Sequence, residues 1–197
     1  MESVLAQSSG NYEMIIKDGG STDGTEKLTW ADQRIKRYSG KDSGIFDAMN
    51  QALEFAKGEY ICFLNAGDLF FCRDALTRVV EVIREYSGAE FLYGNVHKPL
   101  SRSGYEFYPK RLSRYFLFTH SICHQAWFVK RATYLRYGGF ETTHSHGSDN
   151  RLYLKMLARD TIPYKAVPHI LVFYKGYGAS TSSSSQAEIK QWLGALQ

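Results

Sequence analysis

Four short polar clusters hold the residue types that could do chemistry. The first, Asp18-Gly19-Gly20-Ser21-Thr22-Asp23-Gly24-Thr25, closes an apolar run. It offers small residues and free backbone N–H groups ahead of a predicted helix, a setting that suits phosphates and the polar edge of a nucleotide. It is neither the GxGxxG dinucleotide fingerprint nor a Walker A loop, which needs a lysine absent here. The second cluster spans Lys41-Asp42-Ser43-Gly44 to Asn50, the third is Asn65-Ala66-Gly67-Asp68, and the fourth is Gly147-Ser148-Asp149. Asp68 follows the apolar run Ile61-Cys62-Phe63-Leu64. A carboxylate just past the C-terminal end of a buried strand lies where open α/β sheets place their ligands. Each cluster also has a plainer reading: Asn, Gly and Asp are common in turns, and Asp149 could be an ordinary helix N-cap.

The elements that must position these clusters follow from periodicity. Residues 1–7 read as the tail of a helix. Strands are expected at 12–16 and 35–38, with a helix starting near Thr25 between them. Gly44 opens an amphipathic helix in which Ile45, Met49, Leu53 and Ala56 recur at helical spacing, and Gly58 closes it. The run 61–64 reads as a strand covered on both faces. A helix over 74–86, a strand over 91–96, helices over 131–137 and 149–158, and a strand over 170–174 complete the pattern. Strands alternating with helices imply βαβ units and a largely parallel sheet. A Ser-rich link and a short helix occupy 180–197, so 1–197 reads as a single domain.

Segment 97–121 breaks this rhythm. It interleaves Lys98, Arg102, Lys110, Arg111 and Arg114 with Tyr105, Phe107, Tyr108, Tyr115, Phe116 and Phe118. Such a pattern suits single-stranded nucleic acid, a sugar or an anionic lipid surface. The alternative is a β-hairpin and loop whose aromatics pack inward. Across the chain, 44% hydrophobic and 22% charged residues describe an ordinary globular protein, and a net charge of +4 is too small to argue for nucleic acid by itself. Fourteen Tyr and twelve Phe favour surfaces that stack on rings. Three cysteines without a CxxC pair suggest neither a disulfide framework nor a zinc knuckle and fit a reducing, cytoplasmic setting. His144 and His146 make an incomplete zinc set on their own. No apolar run reaches the length of a membrane span, and there is no secretory signal.

Together and in this order, residues 2–7 (ESVLAQ), 12–25 (YEMIIKDGGSTDGT), 41–68 (KDSGIFDAMNQALEFAKGEYICFLNAGD), 124–131 (HQAWFVKR), 138–141 (GGFE) and 148–157 (SDNRLYLKML) resemble the family 2 glycosyltransferases of the GT-A fold. The resemblance is nearest to bacterial members that build surface polysaccharides. It thins over 97–120 and after Pro168, though 176–180 could match a glycine-serine stretch of the family. It implies a Rossmann-like, three-layer α/β/α fold with a mostly parallel central sheet. It also implies transfer of a sugar from a nucleotide-diphosphate sugar, most often a UDP-sugar, to a hydroxyl on a saccharide or lipid-linked acceptor.

The same resemblance distributes the roles. Asp18 would bind the nucleobase and Asp42 the nucleoside, with Gly20, Ser21, Gly44, Asn50 and Asn65 lining the nucleotide site. Asp68 would hold Mg²⁺ or Mn²⁺ against the diphosphate, as the one carboxylate of a DxD-type motif that here reads Asn-Ala-Gly-Asp. Asp149 would be the general base of an inverting reaction, and His124 and Gln125 would lie near the acceptor, although packing of His124 on Trp127 competes with that role. Where many relatives have a second acid this chain has Arg151, which cannot serve as a spare base. The resemblance further implies a strand and polar turn ahead of Met1, flanked by other strands, which this sequence lacks. A chain without them would be a weak enzyme. The competing reading is therefore a non-catalytic nucleotide-sugar-binding protein or an inactive fragment. Contact with the inner membrane surface through 97–121 is a further expectation.

Overall fold

The computed structural model describes residues 1–28, 30–144 and 146–175. The chain opens with a single helical turn, α1 (Glu2–Leu5), and then runs through β1 (Met14–Asp18) and β2 (Ile35–Ser39), which pair in parallel. Next come α2 (Ile45–Phe55), two short strands, β3 (Tyr60–Ile61) and β4 (Leu69–Phe70), and α3 (Ala75–Glu85). β5 (Phe91–His97), β6 (Tyr105–Glu106), α4 (Arg114–Thr119), β7 (Trp127–Lys130) and α5 (Arg131–Arg136) follow. α6 (Ser148–Leu154) runs on into a wider π-type turn over Lys155–Arg159, and β8 (Tyr164–Phe173) ends the described chain. The expected 176–180 match, Ser-rich link and C-terminal helix lie outside the described residues.

β3, β7, β5, β8 and β4 are neighbours in that order, with β6 attached to β5. Phe91, Leu92, Val96, Val129, Leu171 and Val172 are essentially inaccessible, so the β5–β7–β8 centre is the core. One face packs on α2, α5 and α6 through Met49, Leu53, Tyr134, Leu152 and Met156; the other packs on α1 and α3 through Val4, Ala75 and Val79. This confirms the layered α/β fold but corrects the expectation of a mostly parallel sheet. Only β1–β2 and β5–β8 are parallel, and the other four pairings among the described residues are antiparallel. β7, a four-residue strand hidden inside the 124–131 motif, is the cause, because it enters the sheet antiparallel to both β3 and β5.

Two other expectations fail for visible reasons. The helix expected from Thr25 is a single 3₁₀ turn, Thr25–Lys27. The Arg37 guanidinium takes the carbonyls of Thr25 and Glu26, at 3.3 and 2.5 Å, which a longer helix would need for its own ladder. The strand expected over 61–64 pairs only as far as Ile61, and Cys62, Phe63 and Leu64 are half-buried instead of enclosed. Among the described residues β3 has a single neighbour, β7, and the β1–β2 pair forms a separate two-stranded sheet.

Side chains fasten that small sheet to the rest. Tyr38 stacks on Phe55 of α2 at 3.8 Å. The Glu13 carboxylate accepts the N–H groups of Lys57 and Gly58 at 2.6 and 2.8 Å, and the Tyr12 hydroxyl donates to the Val4 carbonyl. Segment 97–121 divides between the two readings offered for it: Tyr108 and Leu117 pack inward, while Phe107 and Tyr115 are 70% and 75% exposed. No helix among the described residues is long and apolar enough to cross a membrane.

Candidate active site

β1 delivers Asp18 to a buried position at its C-terminal end. One carboxylate oxygen accepts from the Gly20 N–H (3.1 Å), the Ser21 N–H (2.9 Å) and the Ser21 hydroxyl (2.7 Å). The Ser21 hydroxyl and N–H hold this carboxyl below its ordinary pKa, outweighing burial. The other oxygen is less engaged, with Ser39 Oγ at 3.5 Å and Arg37 at 4.0 Å, and so can accept from a ligand N–H. Gly19 approaches Asp42 so closely that a Cβ there would sit 2.6 Å from Oδ2.

Asp42 is held from both sides. Its Oδ1 accepts from the Gly44 N–H at the start of α2 (3.2 Å), and its Oδ2 pairs with Lys17 Nζ (3.1 Å). Lys17 was missed from the sequence. Its ammonium also donates to the carbonyls of Asp18 (3.2 Å) and Gly40 (2.6 Å), clamping the ends of β1 and β2 to the Asp42 loop. A lysine that ends an apolar run beside a cluster carboxylate was the available signal.

Asn50 bonds to the turn that follows α5. Its amide nitrogen donates to the Phe140 carbonyl (2.8 Å) and its oxygen accepts from the Phe140 N–H (2.9 Å). Through this pair of hydrogen bonds Asn50 ties α2 to the 138–141 turn. Gly139, with φ at +72°, is required there, since a Cβ would meet Asn50 Oδ1 at 2.4 Å.

The third cluster forms a tight turn in which the Asp68 N–H donates to the Asn65 carbonyl (3.0 Å) and Gly67 supplies φ of +99°. Asp68 is buried, and its two oxygens accept from Gln125 Nε2 (2.8 Å) and the Lys175 N–H (3.0 Å). Burial pushes its carboxyl up despite these donors and the nearby His124. Gln125 is itself buried, and its oxygen accepts from the Cys123 thiol (2.8 Å). It therefore positions Asp68. Burial raises the Cys123 thiol to about 12, so it stays protonated as a donor.

His124 connects the third cluster to the fourth. Its Nδ1 lies 3.1 Å from Asp149 Oδ2, and its Nε2 lies 3.2 Å from Asn65 Nδ2. The amide nitrogen of Asn65 can only donate. Nδ1 donates to Asp149 Oδ2, and Nε2 faces that amide. Trp127 meets the His124 ring edge-on at 6.3 Å, so packing and the carboxylate contact coexist.

Asp149 sits in the first turn of α6, whose N-cap Gly147 is left-handed at φ 74°. Its second oxygen accepts from the Asn150 N–H (2.9 Å), and about a quarter of the side chain, 26%, stays open. Burial pushes this carboxyl up, but the His124 hydrogen bond and charge, with the backbone donors, bring it below the ordinary value. Arg151 is held by Glu141 at 2.9 Å, and Lys155 bonds to the same carboxylate. The position where many relatives have a second acid thus serves the turn beneath the site.

The arrangement has an ionised, partly open carboxylate backed by a histidine, a buried carboxylate beside it, and a polar loop on a separate sheet. The pattern of "Glycosyl transferase family 2" matches residues 1–159. The chain belongs to this family. A "PGL/p-HBAD biosynthesis glycosyltransferase" from Mycobacterium bovis is 27% identical over 98% of this chain and 77% of its own length. A "putative teichuronic acid biosynthesis glycosyltransferase" from Bacillus subtilis is 38% identical over 45% of this chain and 37% of its own.

Solved structures agree on the fold. The S. aureus TarS fragment 1–349 in complex with UDP-GlcNAc superposes with a TM-score of 0.73 at 15% identity, covering 98% of this chain and 60% of that one. A mannosyltransferase from Pyrobaculum calidifontis, in complex with GDP-Man and Mn²⁺, gives 0.66 at 18% identity over 90% of this chain and 52% of that one. The family member therefore spans only part of these solved relatives. Its fold is the GT-A glycosyltransferase fold.

Proposed function

We propose that this chain transfers a sugar from a UDP-sugar to a hydroxyl acceptor in surface-polysaccharide or glycolipid synthesis, with inversion at the anomeric carbon. The observation that carries the reading is the Asn65–His124–Asp149 chain of contacts. It keeps Asp149 ionised and partly open, as a base that accepts a proton from an attacking hydroxyl must be. Asp149 takes that proton as the acceptor oxygen bonds to the anomeric carbon. The nucleoside diphosphate leaves from the opposite face, through an oxocarbenium-like transition state. His124 donates to the Asp149 carboxylate throughout and moves no proton of its own.

On the donor side, the freer oxygen of Asp18 suits a nucleobase N–H, and the Gly20–Ser21 turn and the Asp42–Gly44 loop would enclose the nucleoside. Asn65, at the junction of both halves, would face the diphosphate. Among the described residues no group of three His, Cys, Asp or Glu side chains converges on a metal position. Asp68 is nevertheless a hard oxygen donor beside the expected diphosphate, and Mg²⁺ or Mn²⁺ can be held by one carboxylate together with waters and phosphate oxygens. Such an ion would neutralise charge on the leaving diphosphate. The nucleotide-sugar donor and the half-buried free thiols fit the cytoplasm.

The test is Asp149→Asn. With whichever member of a UDP-sugar panel supports turnover, UDP release should fall by about 10²–10⁴, while UDP affinity measured by calorimetry stays unchanged. Unchanged turnover would remove Asp149 from the mechanism. A parent protein that binds UDP but releases none from any donor would leave the binding-protein reading standing.

A further inference from the structure

The segment between β5 and the end of α4 carries more exposed apolar surface and more unbalanced charge than the transfer reaction explains. Five basic residues, Lys98, Arg102, Lys110, Arg111 and Arg114, stand against one carboxylate, Glu106. The segment's net charge of +4 equals that of the whole chain, so the remaining residues balance to zero. Lys98 is paired with Glu106 at 2.7 Å. Arg102, Lys110, Arg111 and Arg114 are exposed, and no ion pair with a described residue engages them.

Large apolar side chains stand out between these charges. Leu100 is 63% exposed, Phe107 70% and Tyr115 75%. Tyr105 and Phe107 alternate outward along an extended stretch and stack on each other at 6.1 Å, while Tyr108, the next residue, packs inward. On α4, Leu117 is buried, and Tyr115 and Phe118 lie three residues apart on its outer side. The segment is anchored from beneath: Tyr93 donates to the Pro109 carbonyl (2.6 Å), and the Leu112 N–H donates to Tyr164 (2.9 Å). Its exposed residues are therefore presented by a fixed backbone.

We propose that this segment docks the protein on an anionic bilayer surface. Aromatic rings are the side chains that settle at the headgroup level, and lysine and arginine near such a surface are drawn to its negative potential. A groove for single-stranded nucleic acid would instead space its rings to receive bases. Here two of the rings stack on each other, and Leu100 has no face to stack.

The test is co-sedimentation with vesicles of phosphatidylcholine alone or mixed with phosphatidylglycerol in equal parts, at low and high salt. The intact protein should pellet only with the anionic vesicles, and less so at high salt. Each basic residue near the surface is worth roughly a factor of five in partitioning, so Lys110→Glu/Arg111→Glu should weaken binding by about 25-fold or more. Phe107→Ser/Tyr115→Ser should weaken it as well, while Lys57→Glu/Arg84→Glu, an equal charge change elsewhere, should cost far less. All variants would first be shown to melt cooperatively. Equal pelleting with both vesicle types, undiminished binding by the folded 110/111 variant, an equal loss in the 57/84 control, or binding to a single-stranded oligonucleotide without binding to vesicles would each overturn the proposal.

Discussion

Removing the imidazole of His124 should shift the acid limb of the rate profile upward while leaving the alkaline side nearly intact. In the structure, burial raises the Asp149 carboxyl, and the His124 hydrogen bond is the largest influence opposing it. A hydrogen bond to a charged group contributes about 1.5–3 kcal/mol, so its loss favours the protonated form by about tenfold or more. Water entering the vacated space would relieve some of the burial, which places His124→Ala near the lower end. The sign follows from which form works. The base must be ionised, so a raised pKa leaves less active enzyme at acid pH and nearly the same amount well above both pKa values. Below both values kcat should drop by about tenfold.

Measuring kcat for UDP release at saturating donor separates this effect from donor binding, where the raised carboxyl of Asp68 would enter. Tyr134, also close to Asp149, does not titrate in this range, because burial pushes its hydroxyl well above the ordinary value. His124→Gln supplies the control, since its amide can donate to Asp149 without titrating; it should restore the acid limb toward the parent position. An acid limb that stays put in His124→Ala, in a folded protein with unchanged UDP affinity, would refute the argument that His124 sets the ionisation of Asp149.

Three further outcomes are expected. Asp68→Ala should weaken UDP binding in the presence of Mn²⁺ and leave the metal-free affinity unchanged, as read by calorimetry; equal affinities with and without metal in the parent would indicate a site that uses none. Gly139→Ala forces a side chain into a left-handed position and against Asn50 Oδ1, and should cost about 1–3 kcal/mol, measured by urea denaturation; a loss within error would show that Asn50 can yield. Lys17→Met leaves Asp42 without its cation in a pair whose side chains are 6% and 16% exposed. It should destabilise the fold by about 3–5 kcal/mol, the range for breaking a buried pair, and unchanged stability would mean that water replaces the ammonium.

The long amphipathic and apolar stretches were legible in the sequence. α2, α3 and β5 stand within a residue or so of their expected limits, because 3.6-residue and continuous apolar patterns extend over ten or so positions. What escaped was set by contacts across the fold. The propensity of the residues after Thr25 was overridden by a guanidinium twelve residues further on. β7 is too short to announce itself, and its direction, which makes the sheet mixed, is a tertiary choice. The strand expected over 170–174 misses the start of β8 at Tyr164, and β8 takes Pro168 at the irregularity in its pairing with β5. At the site, residue types marked Asp18, Asp42, Asp68 and Asp149, but not which side chains hold them. Gln125 and Asn50 carry hydrogen-bonding amides like any binding residue, and only the fold shows that one bonds to Asp68 and Cys123 and the other to the Phe140 backbone.

The separate β1–β2 sheet has a mechanical consequence. Asp18 ends β1 and Asp42 follows β2 on a two-stranded raft, while Asp68, His124 and Asp149 belong to the larger sheet and the helix packed on it, and among the described residues no backbone ladder joins the two. The raft is moored by side chains alone among the described residues: the Tyr38–Phe55 stack, the Glu13 carboxylate, the Tyr12 hydroxyl and the packing of Tyr12 and Met14 on the core. A molecule long enough to touch a carboxylate on each side acts as a splint. For such a construction, filling the site and stiffening the protein are the same event.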